Sequence, residues 1–542
     1  MPLRTLTLTA LCTLKTLATV STDRPNVILM MADDLGWGDV GYNGNTTIKT
    51  PHLDQMAADG IQFNRFYSAS SVCSPTRASC LTGRDPFRTG VFNANHGILR
   101  PEEITLPELL KERGYTSGHF GKWHLGTFTT EIKDANRGGK KHPESFNLPT
   151  EHGYDLYFAT ESKVPTCDPM LKPKGNASGF GWDHLKPGDA TAPYGTHYWS
   201  NVSSKNEMVK DNLAGDDSRL IMDRAIPFIE NAVKADQPFL STIWFHAPHK
   251  PCVASPEFYE MYKNEDMEMR NYAGCISAID QQVGRLRTKL AKLGAAENTM
   301  IWFCSDNGPE YRTPGSSGGH LQRKRSLHDG GVRVPGLMVW PAKVKSGRVE
   351  IAPCVTSDYL PTVMDALGIP RDRVPHELDG ESLLPLIEGK PFSRAKPICF
   401  QYSGQANCST EQYKFYQKAG KPELYDMLAD PFGVLFGWQV LDQEVVKARG
   451  QARLLPGRAQ QNEPVHGLER PAASDEVRGK MIEQFRMRGG FGHVAEVVRR
   501  GDDAGAEVVR PETVHEHAGG QGIGAAGDGE GELAAAAAFI ER

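Results

Sequence analysis

The run CSPTR at residues 73–77 contains the side chains of this chain that are best suited to chemistry on an anion. Pro75 suits the first turn of a helix and Gly83 suits a helix end, so a helix is predicted whose N-terminus lies beside Cys73. Free backbone N–H groups at such an N-terminus attract anions. Arg77 follows by one helical turn and can reach back toward Cys73. The alternative is a turn and a short helix with incidental cysteines.

Two acidic pairs, Asp33-Asp34 and Asp306-Asn307, each follow a short apolar run that is typical of a buried strand. Three carboxylates and an amide form an all-oxygen ligand set, which suits Ca²⁺ or Mg²⁺ and disfavours zinc. Each pair taken alone fits a turn or a helix cap equally well. The metal site is therefore expected only if the fold brings the two pairs together.

Basic side chains follow two further apolar runs. Lys122 and His124 alternate, so an extended backbone would place both on the same side of the segment. His246 and His249 come directly after another run of this kind. A solvated loop is the alternative for each cluster by itself, but the repeated occurrence of polar clusters after predicted strands makes that interpretation less favourable for the whole set.

The elements that must position these side chains alternate between strand and helix along the chain. This alternation predicts an α/β fold with a central, mostly parallel sheet that is covered by helices on both faces. Ligands of such sheets gather outside the carboxyl ends of the strands, where the polar clusters occur. The predicted strands are residues 26–31, 115–120, 238–245 and 299–304, and the predicted helices are residues 105–113, 217–234 and 275–293.

The pattern of the sequence changes after about residue 395. Strand-like pieces at residues 397–402, 413–417 and 423–427 predict a small antiparallel sheet. Beyond Pro431 this pattern fades, and Gly, Ala and Glu dominate the end of the chain, as is typical of a disordered tail. The predicted divisions are a targeting segment at 1–22, a catalytic domain at 23–395, a small and incomplete sheet subdomain at 396–431 and an atypical tail at 432–542.

Composition excludes nucleic acid as an expected partner, because 61 basic and 66 acidic residues give a net charge of −5 without a long basic stripe. No stretch approaches the roughly 18 consecutive apolar residues of a membrane span, so stable membrane insertion is not expected. Residues 1–22 are predicted to be a signal peptide, with an organelle transit peptide as the alternative. Together with sequons at Asn45, Asn176, Asn201 and Asn407, this favours a secreted or lysosome-like glycoprotein.

The longer run CSPTRASCLTGR at residues 73–84 resembles the signature of the type I sulfatases of the alkaline phosphatase superfamily. In that family a formylglycine-generating enzyme oxidises the cysteine to an aldehyde, and the hydrated aldehyde offers two hydroxyls. One hydroxyl attacks the sulfur of a sulfate ester, and the other later collapses to expel sulfate. Thr76 stands where the family most often has serine, and a disulfide between Cys73 and Cys80 would block the modification.

The resemblance covers roughly residues 24–431 and implies a three-layer α/β/α fold with a small C-terminal antiparallel sheet. It implies that Ca²⁺, with Mg²⁺ as the alternative, is held by Asp33, Asp34, Asp306, Asn307 and the residue formed from Cys73. It further implies that Arg77 stabilises the nucleophile and that Lys122 and Lys324 bind the sulfate. His246 would protonate the leaving oxygen with the assistance of Lys324, His124 would be the base that acts at the formylglycine, and His249 would contact the substrate.

The function that the resemblance implies is hydrolysis of a sulfate monoester on a small molecule or a glycan. Aromatic residues of the long loops, namely Trp182, Tyr194, Tyr198 and Trp199, favour a carbohydrate through stacking on sugar rings. A phosphate or phosphonate monoester hydrolase on the same scaffold is one alternative. A non-catalytic glycan-binding relative, in which the cysteine remains a thiol, is the other.

Overall fold

The computed structural model describes residues 24–175, 179–430 and 438–439, all of which belong to the compact unit Met1–Lys447. The predicted targeting segment and, apart from residues 438–439, the predicted tail lie outside these residues. The strands are β1 (Asn26–Ala32), β2 (Ile61–Phe63), β3 (Phe66–Tyr67), β4 (Thr116–Lys122), β5 (Leu156–Thr160), β6 (Leu171–Pro173), β7 (Thr191–Pro193), β8 (Tyr198–Ser200), β9 (Glu207–Met208), β10 (Phe239–Trp244), β11 (Thr299–Ser305), β12 (Arg333–Val334), β13 (Gly336–Val339), β14 (Arg348–Glu350), β15 (Cys354–Val355), β16 (Ile398–Tyr402), β17 (Gln405–Ser409), β18 (Tyr413–Lys418), β19 (Lys421–Asp426) and β20 (Trp438–Gln439). The helices are α1 (Pro51–Asp59), α2 (Cys73–Thr82), α3 (Pro86–Thr89), α4 (Leu106–Lys111), α5 (Asp217–Lys234), α6 (Pro256–Met261), α7 (Met267–Lys292), α8 (Asp329–Val332), α9 (Tyr359–Ala366) and α10 (Leu384–Ile387).

A ten-stranded sheet forms the centre of the fold, in the order β14-β2-β13-β11-β1-β10-β4-β5-β8-β9. Its middle strands β11, β1, β10, β4 and β5 are parallel, and antiparallel strands flank them on both sides. Parallel strands that are joined by helices bring their carboxyl ends to one edge of the sheet. The predicted α/β architecture with a mostly parallel central sheet is therefore confirmed.

Helices cover both faces of this sheet, as the alternating side chains of β1 show. Val27, Leu29 and Met31 pack in one core with residues of α2, α4 and α9. Ile28 and Met30 pack in a second core with residues of α1, α5 and α7. Burial of each such side chain contributes about 1.5–3 kcal/mol to folding. A strand that is buried on both faces must be apolar at every position, which explains the continuous apolar run in the sequence.

The predicted elements agree closely with the structure. The four predicted strands correspond to β1, β4, β10 and β11, and the predicted helix at 217–234 coincides with α5. The helix predicted at 275–293 begins earlier, at Met267, because the side chain of Asp266 caps it by accepting a hydrogen bond from the backbone N–H of Met269. The first turns of α7 have the sequence MEMRNYAG, in which polar residues interrupt the apolar ones, so the apolar periodicity predicted the helix only from Cys275 onward.

The small C-terminal sheet is an antiparallel meander of β16 to β20. Its strand β17 was not predicted, because the segment QANCS is polar although all five of its residues are buried. Gln405 Oε1 accepts a hydrogen bond from the backbone N–H of Leu327 at 3.0 Å, and Asn407 Nδ2 donates to the Leu327 carbonyl at 2.5 Å. The polar strand thus binds the segment that follows Lys324, and Leu327 of that segment packs in a core with Tyr67 and Val355.

A disulfide joins Cys399 and Cys408, which lie opposite each other on β16 and β17. We expect the double variant Cys399→Ser/Cys408→Ser to lose about 2–3 kcal/mol of unfolding free energy, because the bond restricts the unfolded chain. Denaturant unfolding of both proteins with and without a reducing agent measures this loss. The reductant should destabilise only the wild-type protein, and an equal response of the two proteins would contradict the prediction.

The remaining described cysteines are free thiols, so the alternative of a Cys73–Cys80 disulfide is not realised. The sequon at Asn407 is buried and its amide is hydrogen-bonded, so this asparagine cannot carry a glycan in the folded protein. Within the described residues, no helix combines the length and the apolar character needed to cross a bilayer.

Candidate active site

The polar clusters lie at the carboxyl ends of four neighbouring parallel strands. Asp33 follows β1, Asp306 follows β11, Lys122 ends β4, and His246 and His249 follow β10. Helix α2 adds Cys73 from its first position. The strand order thus brings together side chains that are up to 290 positions apart in the sequence, as the contact between Lys324 and Asp34 shows.

The two acidic pairs contact each other directly. The backbone N–H of Asp34 donates to Asp306 Oδ1 at 3.1 Å, and Asn307 Nδ2 donates to Asp34 Oδ1 at 2.6 Å. Asp34 has a φ of 65°, in the left-handed region that residues other than glycine seldom adopt. Such strain persists where the surrounding structure enforces it, and it concentrates at functional sites.

Three buried oxygen atoms of this cluster have no hydrogen-bond partner among the residues that the structure describes. They are Asp33 Oδ1, Asp34 Oδ2 and Asn307 Oδ1. Buried acceptors are costly unless something pairs with them, and a hard divalent cation binds oxygen ligands of this kind. The ligand atoms of Asp33, Asp34, Cys73 and His249 also lie within 4.8 Å of one another. The residues present therefore fit a Ca²⁺ or Mg²⁺ ion.

Three cations surround the carboxylates. Lys122 Nζ lies 2.6 Å from Asp33 Oδ2, and Lys324 Nζ lies 2.6 Å from Asp34 Oδ1. Arg77 donates to Asp306 Oδ2 at 2.6 Å and to the Lys122 carbonyl at 3.1 Å. All three cations are buried. An anionic ester that enters this site meets fixed positive charges in a water-poor pocket, which is the environment that stabilises developing charge on several oxygens.

Burial changes the protonation of two groups in the cluster. Burial and the neighbouring Asp33 raise the pKa of Asp306 to about 7, against the opposing effect of Arg77. Burial raises the pKa of the Cys73 thiol to about 12, although Lys122 and Lys324 act in the opposite direction. The thiol at the start of α2 is therefore protonated at neutral pH, and a protonated thiol is a poor nucleophile.

Cys73 is only 1% exposed and lies 3.6 Å from the Nζ atom of Lys324 through its Sγ atom. Helix α2 runs from Cys73 to Thr82, and Gly83 caps its end in the left-handed conformation with a φ of 69°. The structure thus has the helix that the proline and glycine positions predicted. Its N-terminus faces the carboxylates and the lysine.

The two histidines after β10 have different surroundings. His246 is fully buried, with Nε2 2.7 Å from Thr160 Oγ1 and Nδ1 2.7 Å from Asp217 Oδ2. His249 Nε2 lies 3.6 Å from Asp34 Oδ2, and its Nδ1 donates to the Lys250 carbonyl at 2.6 Å. The structure therefore brings His249 into the carboxylate cluster, whereas both ring nitrogens of His246 are engaged by residues of β5 and α5.

His124 is buried near the same cluster, but not on an extended segment. Strand β4 ends at Lys122, and His124 has a φ of 58°. The turn after Lys122 breaks the strand alternation from which both side chains were expected on one side. Burial and then the nearby cation of Lys122 hold the pKa of His124 well below its ordinary value, so the ring is neutral at physiological pH.

Two of the aromatic residues expected to stack on sugars are part of the fold instead. Tyr198 and Trp199 lie on β8 and are buried, and they donate hydrogen bonds to Asp217 and Asp134 respectively. Trp182 and Tyr194 are partly exposed and remain the aromatic candidates from that prediction. Amphipathic rings of this kind often serve as structural residues whose polar atom finds a buried partner.

One residue near the site was not predicted from the sequence. Asn95, in the segment between α3 and α4, lies 2.8 Å from His124 Nε2 through its Oδ1 atom. It belongs to no motif, and the contact spans 29 positions of the chain. No local signal in the sequence distinguishes it from the neighbouring Asn93.

Comparisons with known proteins agree with this geometry. The sequence profile described as Sulfatase matches residues 25–369, and the profile described as the C-terminal part of N-sulphoglucosamine sulphohydrolase matches residues 319–447. The chain is 34% identical to N-acetylgalactosamine-6-sulfatase of Homo sapiens over 407 residues, covering 70% of this chain and 68% of that protein. The crystal structure of Ps i-CgsB in complex with k-i-k-neocarrahexaose has a TM-score of 0.62 at 26% identity, covering 78% of this chain and 90% of the other. The phosphonate monoester hydrolase of Agrobacterium radiobacter shares the fold, with a TM-score of 0.56 at 20% identity, covering 79% of this chain and 93% of the other.

Proposed function

The chain belongs to the sulfatase family and hydrolyses sulfate esters, and on that premise we propose that it uses a formylglycine formed from Cys73 together with a divalent cation to desulfate a carbohydrate. The observation that carries the proposal is the cluster of Cys73, Asp33, Asp34 and His249 at the carboxyl edge of the sheet. Because the thiol is buried and protonated, the unmodified cysteine is poorly suited to attack an ester.

The modification would supply a hydrated aldehyde, whose one hydroxyl attacks sulfur while the other allows the sulfate to be expelled. A serine in this place would be trapped as a stable ester. Since Cys73 is almost completely buried in the folded chain, a formylglycine-generating enzyme must act before the chain folds around α2. The thiol would thus be converted while residues 73–84 are still accessible.

The cation would be held by Asp33, Asp34, Asp306, Asn307 and the residue formed from Cys73. We expect Ca²⁺, with Mg²⁺ as the alternative, because all the donors of the two acidic pairs are oxygen atoms. When bound, this cation supplies a Lewis acid that polarises the sulfate oxygens. The unpartnered oxygens of Asp33, Asp34 and Asn307 support this assignment.

The chain's own residues would then divide the remaining tasks. Lys122 and Lys324 bind sulfate oxygens, since both ammonium groups contact the carboxylates of the cluster and Lys324 Nζ is already close to Cys73. Arg77 holds Asp306 and so orients a metal ligand, and its charge also acts on the residue at position 73. His124 is the base that takes a proton from the residue at position 73.

We assign protonation of the leaving oxygen to His249 and not to His246. His249 Nε2 faces the carboxylate cluster, because its other ring nitrogen is bound to the Lys250 carbonyl. Both ring nitrogens of His246 already make hydrogen bonds, to Thr160 and Asp217, so His246 is less suited to this role. Because Nδ1 of His249 already donates to the Lys250 carbonyl, Nε2 has a proton to give only when the ring is doubly protonated. Burial lowers the pKa of His249 to about 3, so this second proton would have to be taken up as the anionic ester binds, since negative charge nearby favours the imidazolium as the carboxylate of Asp34 does.

Replacement of His249 should therefore lower the rate in a way that depends on the leaving group. We expect His249→Ala to reduce kcat by about 10²–10⁴-fold for a poor leaving group and by less for an acidic phenol. A series of aryl sulfates of graded leaving-group pKa measures the difference. His246→Ala serves as the control, and it should lower stability without changing the dependence on the leaving group. The opposite pattern would return the role to His246.

A sulfated carbohydrate is the proposed substrate class. The relative named N-acetylgalactosamine-6-sulfatase and the neighbouring structure with a bound neocarrahexaose support it. Trp182 and Tyr194 are available for contact with sugar rings. We propose to assay sulfate release from N-acetylgalactosamine 6-sulfate, from carrageenan oligosaccharides and from the phosphate ester of the same amino sugar. Faster cleavage of the phosphate ester would favour the alternative of a phosphate or phosphonate hydrolase.

The proposed location is the secretory pathway, in a secreted or lysosome-like compartment. The disulfide between Cys399 and Cys408 supports it, because such bonds persist in oxidising compartments. Among the described sequons, Asn45 and Asn201 remain as candidate glycan acceptors, although the side-chain amide of each donates a hydrogen bond to a backbone carbonyl.

A further inference from the structure

His124 makes a single side-chain hydrogen bond within the described part of the chain, and its partner is Asn95. Nε2 of His124 lies 2.8 Å from Oδ1 of Asn95. An amide oxygen can only accept a hydrogen bond, so the ring proton is on Nε2. In the neutral ring the other nitrogen, Nδ1, therefore keeps its lone pair.

Asn95 is itself held from the other side. Nδ2 of Asn136 donates to Asn95 Oδ1 at 2.9 Å and to Ser162 Oγ at 3.1 Å. The backbone N–H of Asn136 also donates to Glu161 Oε2 at 3.4 Å. Ser162 and Glu161 directly follow β5, which is the neighbour of β4 in the sheet. A chain of polar contacts thus runs from His124 to the carboxyl end of the adjacent strand.

The other ring nitrogen of His124, Nδ1, is not held by a polar contact of this kind among the described residues. Nδ1 is buried and lacks a hydrogen-bond partner among the described residues. A buried acceptor of this kind is costly unless a donor arrives with the reacting group. His124 and Asn95 both have left-handed backbone conformations, with φ of 58° and 64°. Two such residues in contact indicate that the surrounding structure enforces this arrangement.

We infer that Asn95 is a positioning residue for catalysis, because it fixes the tautomer and the orientation of His124 so that Nδ1 remains the proton acceptor. This inference rests on the proposed function, in which His124 takes a proton from the residue at position 73. Asn136 orients the amide of Asn95 because its Nδ2 donates a hydrogen bond to the same oxygen, Asn95 Oδ1. Without Asn95, a fraction of the molecules would carry the ring proton on Nδ1. In those molecules Nδ1 has no lone pair with which to accept a proton.

The test compares Asn95→Gly with Asn95→Asp. Glycine removes the amide and tolerates a φ of 64°, whereas alanine would add backbone strain. We expect Asn95→Gly to lower kcat by about 10–100-fold with little change in KM, as is typical when a residue that orients a catalytic group is lost. Asn95→Asp keeps an oxygen that accepts from Nε2, so it should recover most of this loss.

Nuclear magnetic resonance of ¹⁵N-labelled histidine rings supplies a second readout, with the His124 signal assigned by its loss in His124→Gln. The wild-type signal should show the proton on Nε2, and the signal of Asn95→Gly should show a mixture of tautomers. Asn93→Ala is the matched control, because Asn93 lies two positions away and its amide oxygen accepts from Ala94 and Tyr402 instead of His124.

The outcomes separate this inference from the proposed function. An Asn95→Gly variant with wild-type kcat, or an unchanged His124 tautomer in that variant, would overturn the inference. An Asn95→Asp variant that loses as much activity as Asn95→Gly would also overturn it. A wild-type protein that releases no sulfate from any ester would instead contradict the proposed function, while the tautomer measurement would remain valid.

Discussion

Replacement of Cys73 by alanine should abolish sulfate ester hydrolysis, with a fall in kcat of about 10³-fold or more. The physical reason is that position 73 would carry the nucleophile, at the N-terminus of α2 and 3.6 Å from Lys324 Nζ. No other described thiol lies within the carboxylate cluster. Sulfate release from an aryl sulfate by the purified variant measures the effect.

The matched control for this prediction is Cys80→Ala, which removes a second buried thiol from the same helix. Cys80 packs in the hydrophobic core with Ala78 and Leu81, so its loss should affect stability more than kcat. Mass analysis of the wild-type peptide that spans residues 73–84 gives an independent readout. A peptide mass below that of unmodified cysteine supports the aldehyde, and an active enzyme with an unmodified thiol would refute the nucleophile.

Removal of the divalent cation is the second change with a large expected effect. Treatment with a chelator should stop hydrolysis, and added Ca²⁺ should restore it. The variant Asp34→Asn should lose about 10³-fold in kcat/KM, which corresponds to roughly 4 kcal/mol of transition-state stabilisation. Asparagine is nearly the same size and tolerates the φ of 65° at this position, so the loss would reflect the missing charge.

Stability provides a readout of the cation that does not depend on activity. Binding to the native state alone stabilises a protein by about 2.7 kcal/mol at a ligand concentration of 100 times Kd. We therefore expect Ca²⁺ to raise the unfolding temperature of the wild-type protein, but much less that of Asp34→Asn. Asp280→Asn is the control, since this buried carboxylate accepts from the backbone of α1 and lies outside the cluster. An equal response of all three proteins would argue against the proposed ligands.

The pH dependence of metal binding follows from Asp306. Burial and the adjacent Asp33 raise the pKa of Asp306 to about 7, so a proton competes with the cation near neutral pH. The carboxylate form binds metal, and the protonated form is favoured below this pKa. The apparent affinity for Ca²⁺ should therefore fall as the pH is lowered from about 8 to about 6. Calorimetric titration at several pH values would measure this change.

The sequence by itself determined four strands in the middle of the ten-stranded central sheet, namely β1, β4, β10 and β11, and the side chains that could form a site. Strands such as β1 are apolar at every position because both faces of the sheet are covered, and this run can be recognised locally. Parallel strands place their following residues at one edge, so Asp33 and Asp306 could be expected to meet. Proline and glycine spacing likewise indicated helix α2, which begins at Cys73.

Only the tertiary structure decided which of these side chains lie in the site. His246 and His249 follow the same strand three positions apart, and their different surroundings depend on Asp217 of α5 and on Asp34 after β1. The contact between Asn95 and His124 spans 29 positions, and no periodic pattern in the sequence predicts it. Local patterns report which face of an element is buried, whereas long-range contacts depend on how separate elements pack. Only the folded chain therefore shows which histidine after β10 faces the carboxylate cluster and which residue holds His124.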